Sequence, residues 1–176
     1  MIRRALAAGV AAGLLAAPAP GESAEENAAD LLQFALPASA LALTLAHDDL
    51  EGGRQLLRSS VSTLAATTAL KVAVDSRRPN GGRHSFPSGH TAAAFAGASF
   101  LTRRYGWRLG LPAYGAAGFV AWSRVHTDDH HVEDVVAGAA LAILSSHLLS
   151  GPLASGLEFE ARAERGSYGL LVRGLW

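Results

Sequence analysis

Five apolar stretches, each set off by a short charged or glycine- and proline-rich turn, run between residues 31 and 149, and they leave few architectures open. Leu31 to Ala46 carries no charge at all, and Arg54 to Val74 gathers hydroxyl residues in its middle. Ser88 to Arg104 follows Pro87 and is rich in alanine and glycine, which let helices approach closely. Leu109 to Ser123 is again uncharged, and Asp134 to Leu149 opens on a carboxylate, which the positive end of a helix dipole favours. All five read as helices, and turns this short make neighbours antiparallel. The expected fold is therefore all-α, a compact bundle of about five helices. A C-terminal β-hairpin is expected to follow, because Leu157, Phe159, Ala161 and Ala163 alternate with charged residues before Gly166-Ser167 intervenes.

A chain of 176 residues makes one domain, with room for one active site. Arg3 and Arg4 ahead of an Ala/Leu-rich run from Ala5 to Ala17 read as an export signal cleaved after Gly21. An acidic linker from Glu22 to Asp30 follows. The organisation is thus a signal at 1–21, a helical domain at 22–150 and a tail at 151–176. Fifteen basic residues balance fifteen acidic ones, which argues against wrapping a nucleic acid. With no cysteine there is no disulfide framework, thiolate nucleophile or thiolate metal site. The apolar stretches fall about a turn short of the roughly 20 residues of a comfortable bilayer crossing. Both a thin membrane bundle and a soluble domain with a very apolar core fit that length.

Polar residues outside the helical pattern gather in three blocks at helix ends. The first runs from Lys71 to Pro79 and holds the only lysine of the chain. On a continuing helix Lys71 and Arg78, seven residues apart, would share a face that Pro79 terminates. Positions 71–84 carry Lys71, Arg77, Arg78 and Arg83 against Asp75 alone, a local anion site in a neutral protein. The second block, Ser85 to Thr91, stands where an alanine-rich helix begins. Unpaired N–H groups at such a start point toward an anion, Gly89 lets it come close, Ser88 adds a hydroxyl and His90 a proton donor. The third, Ser123 to Asp134, is the densest polar run. Arg124 can grip phosphate oxygens in two-pronged fashion, and Asp134, four residues after His130, can hold one nitrogen of that imidazole while the other acts as nucleophile or base.

Taken together, K-x6-R-P (Lys71, Arg78, Pro79), P-S-G-H (Pro87 to His90) and S-R-x5-H-x3-D (Ser123, Arg124, His130, Asp134) resemble the tripartite signature of the type 2 phosphatidic acid phosphatase superfamily. That superfamily also takes in bacterial class A acid phosphatases and vanadium-dependent haloperoxidases. The resemblance implies that His130 attacks phosphorus to form a phosphohistidine, that Asp134 orients its ring, and that His90 protonates the leaving oxygen and then activates water. Lys71, Arg78, Ser88, the Gly89 N–H and Arg124 would hold the phosphate oxygens, with no metal and no cofactor. The substrate implied is a lipid phosphate or pyrophosphate, met at a bacterial envelope membrane on its periplasmic side. A soluble periplasmic acid phosphatase acting on small phosphoesters is the second reading.

Other readings compete at single residues. His131 adjoins His130 and lies three residues from Asp134, still reachable on a helix. The acidic insert of Asp128 and Asp129, with His126, His130, His131, Glu133 and Asp134, could instead be a metal site in a non-enzymatic protein, although that leaves Lys71, Arg78 and the P-S-G-H block without a role. Vanadate chemistry would use the same anion pocket. Asn80-Gly81-Gly82 reads as a flexible turn, and Arg83 and His84 as a solvated loop.

Overall fold

The computed structural model describes residues 24–153, with backbone alone at 157–164 and 167–174. The expected export signal lies outside the described residues. Five helices make up the domain: α1 (Ala24–Ala46), α2 (Leu50–Val74), α3 (Gly89–Tyr105), α4 (Trp107–His126) and α5 (Val132–Leu149). The all-α class and the helix count agree with the sequence pattern. Over the tail, Leu157–Glu164 runs antiparallel to Ser167–Gly174 as backbone. Its side chains are outside the described residues, and the fold assignment rests on the helices.

One boundary needs correction. The stretch expected to be an acidic linker up to Asp30 is helical from Ala24, because alanine and glutamate are good helix formers and Glu25 and Glu26 in the first turn complement the dipole. This extra length carries Glu26 and Asp30 into the domain.

Helix α3 is the centre and packs on all four others. Small residues make that possible: Ala92, Ala94, Ala96, Ala98 and Ser99 are all buried along it. At Gly97 a Cβ would come within 2.5 Å of the backbone of Leu36 and Pro37, so α1 and α3 touch main chain to main chain. At Gly138 of α5 a Cβ would meet the Ser88 carbonyl at 2.5 Å. The Ser88 N–H also donates to the Asp134 carbonyl at 2.9 Å, which joins the start of α3 to the first turn of α5.

The far end of α3 is fastened differently. Arg104, 8% exposed, donates to Asp49 through Nε (2.8 Å) and Nη2 (2.5 Å) and through Nη1 to the carbonyls of Gly151 and Pro152. Asp49 also accepts from Tyr105 Oη and, as N-cap of α2, from the Gly52 N–H. One ion pair thus binds the ends of α2 and α3 and the chain leaving α5.

Outside, the bundle is apolar. Phe34, Leu45, Leu57, Leu64, Leu111 and Leu148 are all more than half exposed. Helices α1 and α5 are long and apolar enough to cross a membrane, and only 28% of the most apolar window of each is buried. Much of their apolar surface therefore faces outward rather than into a protein core.

Candidate active site

The chemistry sits in the two longest described connections, residues 75–88 and 127–131, and at the start of α3 between them. Helix α2 ends with its apolar stretch and does not form the continuation to Pro79 that would have set Lys71 and Arg78 on one face. It stops at Val74, and Asp75 turns the chain with a left-handed backbone (φ 42°). Lys71 and Arg78 therefore reach the site from a helix end and from a loop, not from one helical face. Asp75 then pairs with Arg83 and, at 3.2 Å, with His84, which fixes the loop's first bend. Lys71 Nζ donates to the carbonyls of His84 (2.8 Å) and Ser85 (3.3 Å), so the single lysine holds this loop against α2. Burial, with Arg78 beside it, draws the Lys71 ammonium below its usual pKa.

His130 is 2% exposed. Its Nδ1 lies 3.2 Å from Ser85 Oγ and 3.4 Å from Asp134 Oδ2. Asp134, equally buried, is itself held: Ser85 Oγ donates to Oδ2 through a very short hydrogen bond, and the His131 N–H donates to the same oxygen at 2.9 Å. With Nδ1 occupied in this way, Nε2 is the nitrogen left for chemistry. Burial first, then the charges of Arg78 and Lys71, bring the His130 pKa down to about 4 against the opposing pull of Asp134. The ring is thus a free base over most of the pH range. Ser85 had no role in the sequence reading, since a lone serine at a loop end carries no spacing signature. Its position between His130 and Asp134 is visible only in three dimensions.

His131 takes a different place. It is exposed, precedes the first residue of α5, and its Nε2 lies 3.2 Å from the Arg77 carbonyl. It caps and braces rather than facing the buried carboxylate with its ring.

The acidic insert, at odds with a phosphate site in the sequence, has a structural explanation. Asp129 lies 3.2 Å from Arg124 Nη1 and 3.8 Å from Arg78 Nη1, and its Oδ1 accepts from Asn80 Nδ2 at 3.1 Å. It pairs with both guanidinium groups and so offsets part of their mutual repulsion. Asp128 is an exposed left-handed corner (φ 57°) whose carbonyl accepts the Asn80 N–H at 3.1 Å. The Asn80-Gly81-Gly82 turn, expected to be flexible, is thereby tied to the His130 loop. His126, one member of the competing metal-site reading, stacks on Trp122 (4.7 Å between ring centres). Among the described residues no group of three or more His, Asp or Glu side chains is arranged to hold an ion.

Ser88 is fully buried and caps α3 by accepting the Thr91 N–H. A Cβ on Gly89 would meet nothing within 4 Å, so its backbone faces open space where an anion can approach. His90 is half-buried one residue on. Burial, then Arg124, lower its pKa below the usual imidazole range, while Asp30 and Asp129 oppose them. Arg124 is 4% exposed, and its Nε has no hydrogen-bond partner among the described residues, a donor still available to an anion.

A family model described as the PAP2 superfamily matches residues 52–151 of the chain. The chain belongs to the PAP2 superfamily. The matched region of this PAP2 chain contains all three blocks just described. The chain is 31% identical over 129 residues to a lipid A 4'-phosphatase of Helicobacter pylori, covering 66% of this chain and 65% of that protein. Over 75 residues it is 41% identical to a lipid A 1-phosphatase of Porphyromonas gingivalis, covering 40% of this chain and 17% of that one. The chain thus spans less than two thirds of the length of either relative. The crystal structure of Aquifex aeolicus LpxE shares the fold, with a TM-score of 0.56 at 20% identity over 68% of this PAP2 chain and 83% of the other.

Proposed function

We propose that this PAP2 chain is a metal-independent phosphatase that removes a phosphate from a lipid through a phosphohistidine. The observation that carries the reading is His130, a buried free-base imidazole whose Nδ1 is fixed by Ser85 and Asp134 within reach of the charges of Lys71 and Arg78. His130 Nε2 attacks phosphorus as the P–O bond to the leaving group breaks, and His90 gives its proton to the departing oxygen. Water then yields a proton to His90 and attacks phosphorus, the P–N bond breaks, and both groups return to their starting state. Lys71, Arg78, Arg124, Ser88 and the Gly89 N–H hold the phosphoryl oxygens and offset the charge that grows on them in the transition state.

The lipid assignment has its own support. A cleft of about 200 Å³ opens beside Gly89, between α1, α2 and α3, and is lined by Pro37, Leu64, Thr67, Ala92 and Ala96. It offers an acyl chain an apolar slot next to the proposed phosphate site. The outward-facing apolar flanks of α1 and α5 and the lipid A phosphatases among the relatives point the same way. We place the protein at a bacterial envelope membrane with its site on the periplasmic side, residues 1–21 serving as the export signal and 22–150 as the catalytic domain.

The test is phosphate release in EDTA from lipid A, short-chain phosphatidic acid, a polyprenyl pyrophosphate and p-nitrophenyl phosphate. Release from a lipid well above that from the small ester supports the reading. Release from the small ester alone transfers it to a soluble acid phosphatase, and dependence on an added divalent ion or on vanadate replaces the mechanism.

The two histidines also set a pH window. Attack needs His130 unprotonated, so kcat/KM rises with pH through about 4. Leaving-group protonation needs His90 protonated, so kcat/KM falls as pH passes its lowered pKa, on the acid side of the ordinary imidazole value. The expected result is a bell whose alkaline limb lies on the acid side of the ordinary imidazole value. A plateau extending through neutral pH would remove His90 as the acid.

A further inference from the structure

Helix α1 lies ahead of the family-matched region 52–151, yet it delivers a carboxylate to the reacting end of the bundle. We infer that Asp30 is a positioning residue that ties the proposed acid to the phosphate clamp: its Oδ1 lies 3.4 Å from His90 Nε2 and 3.2 Å from Arg124 Nη1. This rests on the functional reading above and adds to it a group that none of the three sequence blocks contains.

The side chain of Asp30 is 39% exposed, but Oδ1 itself is sealed from solvent and has no aligned hydrogen-bond donor among the described residues. The oxygen that faces both cationic partners is thus the one that water does not screen. Helix α1 holds Arg124 at a second point one turn earlier, where the Glu26 carbonyl accepts from Nη2 at 3.4 Å. The spacing of Glu26 and Asp30 puts both on one face of α1.

The charged groups around His90 come from four elements: Arg124 from α4, Arg78 from the α2–α3 loop, Asp129 from the α4–α5 loop and Asp30 from α1. Asp129 is already shared among Arg78, Arg124 and Asn80. Asp30 brings a carboxylate within ion-pair distance of the His90 ring. It links the ring electrostatically to the clamp and favours the protonated form, against the burial and the arginines that oppose it.

The test compares wild type with Asp30→Asn and Asp30→Glu in the full chain, by the pH profile of kcat/KM on one lipid phosphate and by histidine NMR titration without substrate. The His90 signal is assigned with His90→Gln. In Asp30→Asn the His90 titration should move to lower pH, and the alkaline limb should move with it. The deficit on that limb should be on the order of two- to fivefold and should narrow toward the acid end, as expected for a partly exposed pair. Asp30→Glu should recover much of both. An unmoved His90 titration, superimposed profiles or a deficit uniform in pH would overturn the inference. If wild type shows no phosphate release that depends on His130, the functional reading fails instead, while the NMR titration still reports on Asp30.

Discussion

His130→Ala is expected to lower phosphate release by on the order of 10⁵-fold or more, while the protein stays folded. The loss is this large because no neighbouring group can take over. His131 is turned outward at the head of α5 with its Nε2 beside the Arg77 carbonyl, and His90 belongs to the opposite side of the proposed reaction. The fold should survive because Asp134 keeps its other two partners, Ser85 Oγ and the His131 N–H, and is not left as a bare buried charge. Single-turnover release of phosphate and a thermal melt on the same preparation check both halves. His131→Ala is the companion variant and should retain turnover. A folded His130→Ala protein with wild-type turnover would end the nucleophile assignment, and loss of activity in His131→Ala alone would move it by one residue.

The largest expected effect on stability lies at the other end of α3, about 25 Å away by the rise of a helix of this length. Asp49→Ala should cost about 3–5 kcal/mol, since it leaves the Arg104 guanidinium buried and unpaired and uncaps α2. That is a large part of the roughly 5–15 kcal/mol that holds a domain together. Adding Arg104→Leu to Asp49→Ala should recover much of the loss, because the penalty comes from the orphaned charge and not from the missing attraction. Denaturant midpoints of the two single variants and the double variant check this. Losses that simply add would show that the pair is not coupled. The pair should also respond to acid in a defined direction. Hydrogen bonding from Arg104 holds the Asp49 carboxyl down to about 2, so its contribution is complete above the ordinary aspartate value and disappears as pH falls from about 4 to 2. The activity window above pH 4 is left untouched by that loss.

The five helices and the three polar blocks were legible in the sequence for different reasons. Long uncharged runs have few alternatives to a helix, and a histidine with a carboxylate four residues later keeps its meaning wherever a helix begins. What the pattern does not announce is one local turn and several contacts distant in the chain. The spacing of Lys71 and Arg78 was recognised, but its geometry was not: Asp75 adopts a left-handed backbone that no glycine announces. Asp30 lies in a run of carboxylates and alanines with no apolar period, so it looked like solvated linker, and only the packing of α1 on α3 brings it to His90. Ser85 serves His130 and Asp134 from 45 and 49 residues away. Asp49 and Arg104, 55 residues apart, carry no local signal of being partners.

The contact of Gly138 with the Ser88 carbonyl, joined by the Ser88 N–H bond to the Asp134 carbonyl, has a consequence for how such a protein changes over generations. The spacing between the P-S-G-H turn and the His130 loop is written in main chain, on the α3–α5 side. The walls of the apolar cleft are side chains of α1, α2 and the other flank of α3. Mutational drift can therefore reshape what the cleft admits while the reacting groups stay in register, and selection for a different cleft occupant should accumulate its substitutions on α1 and α2 and leave Gly138 alone.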